Sequence, residues 1–141
     1  MLYDGGCPLC MKEVNFLRKR DTAGHIDMVD IASADYRPAH NAGLTYEEAM
    51  GEIHAILPDG SVVTKVEVFR RLYEAVGLGW VYAITRVPLL ERLANAVYDV
   101  WAKYRLPLTG RGDLLQVIEQ QQSQRESCKA SAQSSQQAQE P

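Results

Sequence analysis

Leu2-Tyr3-Asp4-Gly5-Gly6-Cys7-Pro8-Leu9-Cys10, running on through Met11 to Leu17 and Arg18-Lys19-Arg20, is the stretch that decides the fold. Leu2 to Asp4 reads as the end of a short first strand, with almost nothing before it. Gly5-Gly6 breaks that strand. Pro8 stands where a helix begins, because a missing N–H is no loss at the first helical position. From Pro8 to about Arg20, Cys10, Val14 and Leu17 recur at three- and four-residue intervals and predict one buried stripe. The basic run Arg18-Lys19-Arg20 closes the helix, where cations complement its negative end.

Outward from this stretch, strands and helices alternate. Ile26 to Ile31 alternates apolar and acidic residues, as a strand with one face on a core does. Ala32 to Leu44, with Pro38 and Gly43, reads as a loop. Thr45 and Glu48 have capping-box spacing and predict a short helix after it. Ile53–Leu57 and Val62-Val63, joined by Pro58-Asp59-Gly60, form a hairpin. Thr64 and Glu67 predict a second capping box, opening a helix to about Val76 that buries Val68, Leu72 and Val76. Gly77 and Gly79 end it. A longer helix is predicted over 88–104, with Leu89, Leu93, Val97, Val100, Trp101 and Tyr104 along one face. That stripe is expected to be core, the alternative being a partner-binding surface. The sum is β-α-β-α-β-β-α with extra C-terminal helices.

Length and composition set the limits. The 141 residues, 46% apolar and 23% charged, fit one domain with a tail. A net charge of −3 points away from nucleic acid. No apolar run approaches the roughly 18 residues of a membrane span. The opening residues lack the basic and apolar regions of a secretory signal, so a cytoplasmic location is expected. In such a reducing compartment a cysteine pair is catalytic or metal-binding rather than a structural staple. Residues 1–112 are read as the domain, 1–78 its core and 79–112 a helical extension, with order ending over 113–118. Residues 119–141 hold eight Gln, five Ser and no aromatic residue, and are expected to be disordered, leaving Cys128 a solvated bystander.

Cys7-Pro8-Leu9-Cys10 carries the chemistry. With Pro8 opening the helix, Cys7 lies at its N-cap, where free amides favour thiolate over thiol, and only the thiolate attacks a disulfide. Cys10, nearly one turn on, is within reach to close a disulfide. Cys7 is therefore expected to be the exposed nucleophile, with a pKa below roughly 8.5, and Cys10 the buried resolving thiol. Asp4 has two roles open to it: accepting the proton of Cys10, or capping the Gly5-Gly6 turn. Zinc would need four ligands, and His25, His40 and His54 are scattered, so no metal is expected. Covalent haem would need histidine where Met11 stands. A non-catalytic, redox-sensing or partner-binding module is the alternative from another functional class.

The run from Tyr3 to Cys10 closely resembles the signature of the DCC family of predicted thiol–disulfide oxidoreductases, named for an aspartate and two cysteines that match Asp4, Cys7 and Cys10. The resemblance extends to Asp59-Gly60, the helix 66–76, Gly77-Leu78-Gly79-Trp80, Pro88 and the segment from Tyr98 to Arg105, covering roughly residues 1–111. It implies an α/β, thioredoxin-like three-layer fold with a central mixed sheet. It also implies protein-disulfide or small-disulfide oxidoreductase activity with Asp4, Cys7 and Cys10 as the site. Thioredoxin-like enzymes dock substrate on a proline just before the third strand. That place falls near Met50-Gly51, where no proline stands, so docking is expected either to differ or to use the backbone of Ala49, Met50 and Gly51, together with Pro8 and Leu9. No bound cofactor is expected, only an external thiol reductant, glutathione or a thioredoxin-type protein, and a disulfide-bearing partner.

Overall fold

Met1 and Leu2 face opposite ways, as successive residues of an extended chain must, and each joins a separate apolar core. Met1 packs with Val14, Leu17, Ala55, Val68 and Leu72. Leu2 packs with Ile31, Tyr36, Tyr46, Ala49, Met50, Leu106 and Val117. The structure, a computed structural model, describes residues 1–110 and 112–137. Between the two cores lies a sheet of four strands, β1 (Leu2–Tyr3), β2 (Val29–Asp30), β3 (His54–Ile56) and β4 (Val62–Thr64). Their order is β2-β1-β3-β4. β1 runs parallel to β2, with Leu2 opposite Val29, and antiparallel to β3, with Leu2 opposite His54. β3 and β4 form the hairpin, Ala55 opposite Val63. Helices α1 (Pro8–Arg20) and α3 (Lys65–Ala75) cover one face, and α2 (Tyr46–Gly51) the other. This three-layer α/β arrangement with a mixed sheet is thioredoxin-like.

The ends of α1 are as expected. Pro8 opens it, the basic run closes it, and Val14 and Leu17 are fully buried. Helix α2 carries the complete box: Thr45 accepts from the Glu48 amide while Glu48 accepts from the Thr45 amide. The second predicted box does not form. Thr64 makes no side-chain cap, Lys65 takes a left-handed φ of 56°, and the Val66 amide donates to Asn95 Oδ1 at 3.3 Å. Glu67 instead pairs with Arg70 and Arg71. A tertiary acceptor has replaced the local one.

β2 is shorter than the predicted Ile26–Ile31 because its partner is short. The ladder runs from the Val29 amide to the Met1 carbonyl and from the Ile31 amide to the Tyr3 carbonyl. Upstream, the Asp21 carboxylate takes the amides of His25 and Ile26, at 2.8 Å each, and holds that segment off the sheet.

Two expectations about the C-terminal half need correction. Helix α4 (Pro88–Leu108) runs four residues further than predicted. Its Leu89, Leu93, Val97, Val100 and Tyr104 are exposed rather than core, Leu89 at 75%. The face that meets the body is instead Asn95, Tyr98 and Arg105, with Trp101 half-buried at its margin. Tyr98 Oη accepts the Ile53 amide at 2.7 Å, and such polar anchors set the rotation of α4 against its apolar stripe. Of the segment expected to be disordered, residues 119–137 form most of helix α5 (Leu114–Gln137), and residues 138–141 lie outside the described ones. Gln, Glu, Ala, Lys and Arg are good or tolerable helix formers, and Val117 anchors the first turns in a core. Gln121 donates to the Ala32 carbonyl at 3.0 Å and Gln122 to Glu47 at 3.1 Å. The Cys128 side chain lies outside the described ones. No described helix is long and apolar enough to cross a membrane.

Leu17 is the test of the α1–α3 core. Leu17→Ala should lower unfolding free energy by about 2–5 kcal/mol, measured by urea denaturation. A loss below about 0.5 kcal/mol, the size of a surface change, would contradict its placement.

Candidate active site

The turn from β1 into α1 is built by two aspartates. Asp4, buried at the end of β1, accepts the Gly6 amide on Oδ1 at 3.0 Å, and its carbonyl accepts the Cys7 amide at 3.1 Å. Asp30 in β2 accepts the amides of Gly5 and Ala32 on Oδ1, at 2.9 Å each. A Cβ on Gly5 would lie 2.1 Å from Asp30 Oδ2, so only glycine admits this clasp. The turn-capping role open to Asp4 is thus present. Asp30 was not singled out from the sequence; an aspartate directly across from β1 was the available signal.

Cys7 then occupies the N-cap of α1 with extended φ and ψ, −98° and 113°. Its sulfur accepts the Cys10 amide at 3.5 Å. The Cys10 thiol donates to it as well, and with the amides of Cys10 and Leu9 this holds the Cys7 pKa down to about 6, against opposing effects of burial and of the Asp4 charge. Cys10 is driven the other way, well above the usual thiol range, by its hydrogen bond to Cys7, by burial and by the Cys7 charge. The Arg105 guanidinium partly offsets this. The pair therefore carries one negative charge at neutral pH, on the first sulfur.

Exposure is the reverse of expectation. Cys7 is 1% exposed, whereas Cys10 is only half-buried. A sulfur that accepts amides at the helix start is turned toward the helix rather than toward water, so the interaction that ionises it also covers it. Cys10 opens into a cavity of about 240 Å³, whose walls include Asp4, Leu9, Glu13, Trp101 and Arg105. Pro8 and Leu9 lie at the surface between the sulfurs. Met50 is fully buried, and its carbonyl accepts a hydrogen bond from Arg105 Nη2. Gly51 is exposed and borders a separate depression beside Glu48 and His54. Asp4, Cys7, Cys10, Pro8 and Leu9 are thus gathered at one helix start, Met50 joins them through Arg105, and Gly51 stands apart.

Arg105 comes from α4, far along the chain, and places Nη1 3.8 Å from Cys10 Sγ. In the sequence it stands only as the last residue of the segment Tyr98 to Arg105 that carries part of the resemblance. Its spacing of seven from Tyr98 puts both on one helix face, a signal available beforehand. Among the described residues, no group of three or more His, Cys, Asp or Glu side chains is placed to hold a metal ion.

Over residues 1–111 the sequence matches the family of DCC1-like thiol-disulfide oxidoreductases. The chain belongs to that family. It is also 59% identical over 120 residues to an uncharacterised, chloroplastic protein of Arabidopsis thaliana. The match takes in 84% of this chain and 56% of that one, so the chain spans little more than half the length of this relative. No solved structure matches it. The family's description names thiol–disulfide oxidoreductases, and an N-cap sulfur is where such chemistry would have its physical footing.

Asp4→Asn separates charge from turn geometry, since asparagine keeps the oxygen that accepts the Gly6 amide. The Asp4 charge raises the Cys7 pKa, so removing it should move the thiolate midpoint below about 6 while the fold survives. Ultraviolet thiolate absorbance against pH checks this, and a midpoint that stays put or rises would contradict it.

Proposed function

We propose that this protein exchanges disulfides by a dithiol cycle in which Cys7 attacks and Cys10 resolves. The carrying observation is Cys7 at the N-cap of α1 with its sulfur accepting the Cys10 amide at 3.5 Å, an arrangement that with the Cys10 thiol holds its pKa down to about 6 and favours the thiolate at neutral pH. The Cys7 thiolate attacks one sulfur of a target disulfide, forming a mixed disulfide and expelling the other sulfur as a thiolate. Cys10 gives up its proton, with Asp4, which lines the same cavity, as the acceptor. Its sulfur then attacks Cys7 Sγ. The Cys7–Cys10 disulfide forms, and the second half of the target leaves as a thiolate that picks up a proton. Two electrons have moved to the target, and an external thiol, glutathione or a thioredoxin-type protein, returns them.

Because Cys7 is covered at rest, attack passes through a local opening of the helix start. Pro8 and Leu9, already at the surface, form the rim that a target disulfide would meet. The Met50 carbonyl is occupied by Arg105, so the backbone docking expected at Met50-Gly51 would have to use Gly51 or displace the arginine. A small-molecule disulfide or an exposed protein disulfide would suit such a rim, and the cycle suits a reducing compartment such as the cytoplasm.

One observation favours the second reading, a non-catalytic partner-binding module: the uncovered apolar face of α4 from Leu89 to Tyr104. Reduction of insulin or of a glutathione mixed disulfide, with wild type and Cys7→Ser compared, decides between them. Turnover in wild type that falls at least about a hundredfold in the variant is expected for the enzyme. Absence of turnover with any thiol reductant would favour the module.

A further inference from the structure

Arg105 is a cation buried to 4% exposure beside a thiol that is neutral at rest. Nη2 donates to the Met50 carbonyl and lies 3.9 Å from Met50 Sδ. Nη1 reaches Cys10 Sγ at 3.8 Å, and Nε, also buried, has no hydrogen-bond acceptor among the described residues. The Trp101 ring lies 5.8 Å from the guanidinium carbon and helps wall it off from water. Desolvating a guanidinium is costly unless it meets negative charge, and a neutral thiol is a weak acceptor for so strong a donor. The site is better matched to a charged Cys10 than to the resting one.

Such a charge arises at one point in the dithiol cycle, on which this inference rests. While Cys7 is a thiolate, its charge and its hydrogen bond keep Cys10 protonated. Once Cys7 is joined to a target sulfur, that charge and that acceptor disappear. What remains around Cys10 is Asp4 and Glu13 from the side of β1 and α1, Glu52 beyond α2, and Tyr98 and Arg105 from α4. Burial pushes Tyr98 up to about 12, so it stays neutral. Arg105 is the cation of this set, and its guanidinium touches the sulfur.

We propose that Arg105 stabilises the Cys10 thiolate in the mixed-disulfide state and so sets the rate of the resolving step. A proton leaves Cys10, and Asp4 is neutralised if it accepts that proton. The electron pair on sulfur, held against Nη1, attacks Cys7 Sγ. The Cys7–Cys10 bond forms as the Cys7–target bond breaks, and the target sulfur departs with the electron pair of that bond. In this cycle Arg105 works on the second sulfur and the amides of α1 on the first.

The test uses the aromatic disulfide that releases coloured thionitrobenzoate, followed by stopped flow with the full chain, wild type and variants alike carrying Cys128→Ser because that third thiol would release an equivalent of its own. Attack by Cys7 releases one equivalent at a rate proportional to reagent. Resolution by Cys10 releases a second at a rate independent of it. Arg105→Gln, which can still donate to the Met50 carbonyl, should slow the second phase by about tenfold to a hundredfold, the weight of one charge-assisted hydrogen bond. Its pH midpoint should also move up, and Arg105→Lys should restore much of the rate. In wild type the second phase should titrate below the ordinary thiol value of roughly 8.5, a readout that stands even if a variant fails to fold. A second phase that keeps its rate and midpoint in Arg105→Gln would overturn the assignment while leaving the dithiol cycle intact. Equal slowing of both phases in the Gln and Lys variants, with unchanged midpoints, would overturn it as a purely structural effect. Release of no second equivalent by wild type would sink the dithiol cycle itself, and this assignment with it.

Discussion

One negative charge shared unequally between two sulfurs is the constraint on which this site depends. A thiol at a helix N-cap meets amides with no intrahelical partner, and hydrogen bonds from them favour the anion. Here the Cys10 amide and the Cys10 thiol converge on Cys7. The thiol proton that Cys10 donates to Cys7 is one that Cys10 keeps, so the bond that lowers one pKa raises the other. The asymmetry between two chemically identical residues follows from their places in the first turn of α1.

That placement is held from outside the motif. Asp30 grips the Gly5 amide from β2, and Asp4 grips the Gly6 amide, so the chain enters α1 at a set angle. The parallel pairing of β1 with β2 is therefore part of the site: it is what brings Asp30 to Gly5. On the opposite side the end of α4 delivers Arg105 to Cys10, while Leu106 and Val117 complete the second core beneath it. The helices beyond the four-stranded sheet thus contribute to the site as well as to the packing, which joins the end of α4 to the first ten residues.

What could be read from the sequence was what local spacing decides. Pro8 after a glycine pair marked the helix start, Val14 and Leu17 marked its buried face, and Thr45 with Glu48 marked a cap, all through contacts within one turn. Thr64 and Glu67 have the same spacing, yet the cap there came from Asn95. A distant acceptor leaves no trace in four consecutive residues. The face of α4 failed for a related reason. Periodicity says which side chains share a side, not which side is covered, and here polar anchors from Asn95, Tyr98 and Arg105 outweighed the apolar stripe. The glutamine-rich segment lacked apolar pattern, but helix propensity together with one buried valine supplied what hydropathy did not show. Exposure of the two sulfurs was inverted because the amides that ionise Cys7 also draw it inward.

This leaves reactivity and access opposed at one atom, and alkylation measures both together. Iodoacetamide modification of the reduced chain, mapped by mass spectrometry and followed from about pH 4.5 to 9, is the most direct test. The expected result is modification of Cys7 ahead of Cys10, with a rate that rises through a midpoint near 6 and with the fold retained. Modification of Cys10 first, a midpoint in the ordinary thiol range, or reaction only after unfolding would contradict an ionised Cys7 as the working nucleophile.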